Sequence, residues 1–127
     1  MRERQTIKTI ALPAAGASAV TASLDFGTAL PGPQKITLAL ELPALPSLVD
    51  DKTVTLEVED SADDTTFAPI PGTGNMSVVG AGGAGAAAKT FRLNLPPVFR
   101  RYVRAKATVL AAGGNNTAKS LTLAVEL

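Results

Sequence analysis

The feature that most constrains this chain is a two-residue rhythm. In residues 34–42, Ile36, Leu38, Leu40 and Leu42 share one parity, and Lys35, Thr37, Ala39 and Glu41 the other. Residues 53–60 repeat it, with Val54, Leu56 and Val58 against Thr53, Thr55, Glu57 and Glu59. Residues 119–127 do so again, with Leu121, Leu123, Val125 and Leu127 against Ser120, Thr122, Ala124 and Glu126. Side chains of an extended chain alternate between faces, so each run reads as a strand with one buried side. Residues 101–110 carry a thinner version, with Val103, Ala105, Ala107 and Val109 opposed by Tyr102, Arg104, Lys106 and Thr108. Phe91, Leu93 and Leu95 alternate with Arg92 and Asn94, and residues 6–12, 17–25 and 76–79 are fainter candidates. No segment holds a capped 3.6-residue pattern long enough for a helix.

Turn chemistry separates these runs. Pro31-Gly32-Pro33 stops the chain before one strand, and Pro43 and Pro46 force it out of the sheet after that strand, because proline cannot donate to a ladder. Residues 60–64 and 112–116 are rich in Asp, Asn, Gly and Ser, which tolerate turns, and the second cluster reads as a hairpin tip. The expectation is an all-β chain: an antiparallel, jelly-roll-like β-sandwich of about seven to nine strands with long Gly/Ala- and Pro-rich loops. Its 127 residues fit one domain, 1–127, with residues 1–6 as an N-terminal arm. Residues 80–88 contain only Gly and Ala, which suits either a flexible surface loop or one ordered only against a neighbouring subunit. Residues 42–49, with Leu42, Leu45, Leu48 and Val49 among Pro43 and Pro46, read as a rigid apolar loop that either caps the core or docks elsewhere. Residues 101–110 and 119–127 are the expected edge strands for pairing between chains.

Composition removes several chemistries. With no Cys and no His there is no thiolate nucleophile, Ser-His-Asp triad, disulfide or Cys/His metal site. No run of 18 apolar residues suggests a membrane-spanning helix, no hydrophobic stretch follows the charged N-terminus as a secretory signal would require, the absence of Cys gives no sign of an oxidising compartment, and assembly in a cytoplasm is expected. Net charge is +1, but residues 1–64 carry five basic and ten acidic side chains while residues 65–127 carry seven and one. Such a split suits self-association of an acidic face with a basic one, or neutralisation within one sheet of the monomer. Gly80, Gly82 and Gly85 have the spacing of a dinucleotide-binding fingerprint, but Pro96 and Pro97 follow where a helix is needed. Asp50, Asp51, Asp60, Asp63 and Asp64 form an acidic group without the glycine and closing glutamate of a calcium loop, and no aromatic sugar platform accompanies them for glycosidase work. No catalytic, cofactor or metal site is expected. Arg92, Arg100, Arg101, Arg104 and Lys106 form a basic group that reads as a solvated strand face or an intersubunit pairing surface. Tyr102 is the one aromatic among them, which argues against nucleic acid as a partner.

Two segments carry a resemblance. Val58-Glu59-Asp60-Ser61-Ala62-Asp63-Asp64-Thr65-Thr66-Phe67-Ala68-Pro69-Ile70 is followed by Leu95-Pro96-Pro97-Val98-Phe99-Arg100-Arg101-Tyr102-Val103-Arg104. With the alternating C-terminus, this pairing resembles the small capsid cement, or decoration, proteins of tailed bacteriophages over residues 34–127. The resemblance implies a non-enzymatic virion protein, assembled in the host cytoplasm, that binds the outer surface of the head and bridges capsomers. Its implied partners are the major capsid protein and itself, as a dimer before a trimer, with neither nucleic acid nor membrane. Arg2, Arg4, Leu45, Leu48, Arg100, Arg101, Tyr102 and Arg104 are the expected capsid or subunit contacts, Arg2 and Arg4 through acidic groups of the capsid. The alternative is a carbohydrate-binding or tail/head-completion β-sandwich module of a phage virion.

Overall fold

The computed structural model describes residues 4–25, 37–70, 75–94 and 100–126. Within them lie ten strands: β1 (Arg4–Ala11), β2 (Ser18–Val20), β3 (Leu24–Asp25), β4 (Thr37–Leu42), β5 (Thr53–Ser61), β6 (Ala68–Pro69), β7 (Met76–Val79), β8 (Lys89–Asn94), β9 (Tyr102–Val109) and β10 (Ser120–Glu126). All pair antiparallel, in two sheets. The first has the order β1-β10-β4-β8, and the second β2-β9-β5-β6, with β3 also on β9 and β7 also on β5. Taking β2 with β3 and β6 with β7 as two interrupted strands leaves eight, four per sheet. Their order is that of a jelly roll, two interlocked Greek keys.

The inward faces follow the alternation, but the expected single buried side does not hold for β4 and β10, which are also buried on the other face at Thr37, Ala39 and Ala124. Leu38, Leu40 and Leu42 of β4 and Leu121, Leu123 and Val125 of β10 are buried from the first sheet. Val54, Leu56 and Val58 of β5 and Val103, Ala105, Ala107 and Val109 of β9 are buried from the second. The leucine-rich layer fills the space that the alanines of β9 leave, as close packing requires. Each buried Leu contributes about 1.5–3 kcal/mol by its removal from water.

Three expectations change. β9 and β10 are interior strands, each with neighbours on both sides, so they are not the pairing edges. Among the described residues the edges are β1, β8, β2/β3 and β6/β7. Strand β1 begins at Arg4, opposite Glu126, so it overlaps the arm expected over residues 1–6.

The third change concerns the Gly/Ala loop. It is held by the chain's own residues 45–52. Leu45 and Ala86 exchange backbone hydrogen bonds of 2.8 and 3.0 Å, Asp51 N–H donates to Gly80 O at 2.9 Å, and Gly83 N–H donates to Asp50 Oδ1 at 2.9 Å. A Cβ on Gly85 would stand 1.8 Å from Leu45 O, at φ +74°, so only glycine permits this approach. The loop is thus ordered by neither solvent-facing looseness nor a second subunit. The tip at residues 110–116 joins the same cluster, where Val49 N–H donates to Gly113 O at 3.2 Å. Leu45 and Leu48, 0% and 2% exposed, point into the core beneath these loops.

Candidate functional site

Arg100, Arg101, Arg104 and Lys106 of the predicted basic group lie on or beside β9 of the second sheet, where acidic residues of the first half of the chain meet them, whereas Arg92 lies apart on β8 of the first sheet. Register sets Glu57 opposite Lys106, Glu59 opposite Arg104 and Ser61 opposite Tyr102. Arg104 Nε donates to Glu59 Oε1 at 3.0 Å, and its guanidinium carbon lies 3.8 Å from the centre of the Phe67 ring. Stacking on that ring screens one face of the cation and strengthens the pair. Glu59 is buried, so the pair replaces the water its carboxylate loses.

Asp60 has the inward parity, opposite Val103, at the end of the sandwich. Its buried carboxylate survives there because Arg100 surrounds it. Arg100 N–H donates to Oδ2 and Nε to Oδ1, both at 2.9 Å, and Nη2 donates to the Asp60 carbonyl at 2.9 Å. Arg101 makes a two-pronged pair with Asp25, at 2.7 and 2.9 Å, and its guanidinium lies 4.9 Å from the Tyr102 ring centre. Both partners are about half exposed. The hydrogen bond to Asp25, reinforced by its charge, raises the pKa of Arg101 above the ordinary arginine value.

The acidic residues of the loops are dispersed among local tasks. Asp63 accepts the backbone N–H groups of Thr65 and Thr66, each at 3.0 Å, and the Ser61 hydroxyl at 2.8 Å. The Thr66 N–H, the Ser61 hydroxyl and the Thr65 N–H, in that order, lower its pKa from 3.8 to about 2. Asp50 anchors the glycine loop. Among the described residues no three carboxylates converge as a metal site would need.

Of the expected contact residues, Arg100, Arg101, Tyr102 and Arg104 are brought together, but each arginine is held by a carboxylate of the same chain. Leu45 and Leu48 are core residues, a correction to their expected place at a contact: in the loop of Pro43 and Pro46 and beneath the glycine loop, they are the apolar lid of the sandwich end. Arg4 opens β1, and Arg2 lies outside the described residues. Part of the charge split between the halves is therefore used inside the monomer, in the Arg100–Asp60, Arg101–Asp25 and Arg104–Glu59 pairs.

Two features escaped the sequence. The first is an open, shallow depression of about 600 Å³ on the outer face of the first sheet, lined by Glu41, Lys89, Thr90, Lys119, Ser120 and Thr122. The second is the exposed edge β8, whose Phe91 and Leu93 pack half-buried against the core. The Phe91/Leu93 alternation signals the strand but says nothing of its place at an edge.

The chain matches no protein family and no curated protein. Among solved structures it is similar in fold to the PBSX exported protein XepA, with a TM-score of 0.55 and 16% identity. The match covers 99% of this chain and 36% of that one, so this chain spans about a third of XepA's length.

Proposed function

We propose that the protein is a structural component of a phage virion, a cement or decoration protein that binds the outer surface of the head and bridges capsomers. The observation that carries this reading is the jelly-roll strand order, an architecture used by viral capsid domains, in a chain whose fold neighbour is an exported protein of the phage PBSX. The two segments that resemble cement proteins also form one unit: Asp60 holds Arg100, Glu59 holds Arg104, and Ser61 pairs with Tyr102. The major capsid protein is the partner in this reading, and weak contacts repeated over a lattice supply the avidity. A dimer, if formed, uses surfaces other than the arginine face, whose charges are already paired.

The test is to purify particles released by the strain that encodes the chain and to digest the banded particles for mass spectrometry. Peptides of this chain should band with the particles, and gold-labelled antibody should decorate intact heads. Recovery only in the unbanded soluble fraction contradicts the reading.

The depression on the first sheet favours a second reading, a carbohydrate-binding module of the virion, since Glu41 and the hydroxyls of Thr90, Ser120 and Thr122 suit sugar hydroxyls. Jelly rolls also serve lectins. Binding on a glycan array that is lost in Glu41→Gln would support it, and an array without signal would remove it.

A further inference from the structure

We propose that the depression on the outer face of the first sheet binds an acidic glycan, a chain of sugars that carries carboxylates. This rests on the carbohydrate-binding reading of that depression and names its ligand class.

Register builds the depression. Thr90 of β8, Glu41 of β4 and Thr122 of β10 stand side by side in one row across three strands. Neighbouring strands lie about 5 Å apart, so the row spans about 10 Å. Ser120 is two residues before Thr122 on β10 and shares its face. Lys119, next to Ser120, and Lys89, next to Thr90, bring one cation to each side of the row. The Lys89 ammonium lies 5.1 Å from the centre of the Phe91 ring, which holds it in place.

The lining groups define what fits. Among the described residues, the hydroxyls of Thr90, Ser120 and Thr122 and the Lys119 ammonium have no hydrogen-bond or ion-pair partner in the chain. Glu41 is already engaged, and a carboxylate keeps further acceptor sites beside one partner. A hydroxyl both donates and accepts, a carboxylate only accepts, and an ammonium only donates. The complementary ligand therefore carries hydroxyls for the middle of the row and carboxylates for the flanking lysines. A phosphate polymer lacks the hydroxyl donors that suit Glu41 and sets its own anions against that carboxylate. No lining residue is aromatic, so ring stacking does not supply the affinity. The bonds of the lysines decide it, because a hydrogen bond between charged groups is roughly twice as strong as a neutral one.

The test titrates the full chain with two matched probes by calorimetry. One is trigalacturonate, and the other is its methyl ester, which keeps the ring hydroxyls and removes the charge. The acid should bind about tenfold more tightly than the ester. It should shift the amide resonances of Glu41, Thr90 and Lys119–Thr122. Lys119→Gln should abolish the preference, while Lys106→Gln, the same loss of charge on the second sheet, should keep it. The probe swap reads the wild-type chain, so it stands even if a variant does not fold. Equal binding of the two probes, binding of neither, a preference that survives Lys119→Gln, or shifts confined to the second sheet would overturn the proposal. A glycan array separates this failure from that of the parent reading. Signal on neutral glycans alone overturns the acidic ligand and keeps the carbohydrate module, and an array without any signal removes both.

Discussion

The two ends of the second sheet are closed by different forces. Where β5 begins, the end is closed by shape: Gly80, Gly85 and Gly114 let the loops approach residues 45–49 at distances no side chain allows. Where β5 finishes, it is closed by charge: Arg100, Arg101 and Arg104 hold Asp60, Asp25 and Glu59. A closure by shape is insensitive to salt and intolerant of a single methyl group. A closure by charge tolerates shape changes but responds to ionic strength and to loss of either partner.

Substitutions can break this contrast at either end. Gly85→Ala should have the largest effect, about 3 kcal/mol, because the added methyl meets Leu45 O and the backbone has positive φ. Thermal unfolding should show the same loss at about 0.1 M and about 1 M salt, although the screening length falls from about 10 to about 3 Å. Arg104→Met should follow, at about 2–3 kcal/mol, since it strands the buried Glu59 carboxylate. Denaturant titration should show this loss shrinking in high salt, and a loss unchanged by salt would mean the packing on Phe67, not the ion pair, holds that end.

Smaller effects sharpen the same comparison. Gly82→Ala lies on the same loop as Gly85 and has positive φ, but its methyl meets nothing within 4 Å. It should cost only about 1 kcal/mol. If it matches Gly85→Ala, conformation rather than close approach governs the loop. Arg101→Ala should leave the unfolding midpoint nearly unchanged, because its pair with Asp25 is exposed on both sides. Asp63 gives the smallest signal and a defined pH window. Its carboxyl is at about 2 in the folded chain against 3.8 for the free group, so the charged form is favoured by folding. That contribution is fully present above about pH 4 and is lost as pH falls through 3.8 toward 2. An NMR titration of the side-chain carboxyl should place the folded midpoint near 2, and Asp63→Asn should flatten the acid limb of the stability profile.

What was legible in the sequence was whatever a single strand states about itself. The parity of Leu38, Leu40 and Leu42, or of Leu121, Leu123 and Val125, names the inward face without reference to any partner, but it does not signal the burial of Ala39 and Ala124 on the other face. Relations between distant segments were not legible. The runs at 101–110 and 119–127 read as strands, but periodicity is silent on whether a strand has one neighbour or two, and both lie inside their sheets. A run of Gly and Ala states only that little side chain is present, and its order comes from Leu45 and Asp50, far away in sequence. The charge split was visible, yet its resolution depends on the β5–β9 register, which sets Glu59 opposite Arg104. The break between β2 and β3 depends on Thr21 substituting its hydroxyl for a ladder acceptor, a role no local pattern marks.

The central claim is that the arginine face is satisfied within the chain. Hydrogen–deuterium exchange of the protein, free and bound to purified particles, tests it most directly. The account predicts that the exchange of Tyr102–Val109 is unchanged on binding. Added protection at Tyr102–Val109 on binding would contradict it.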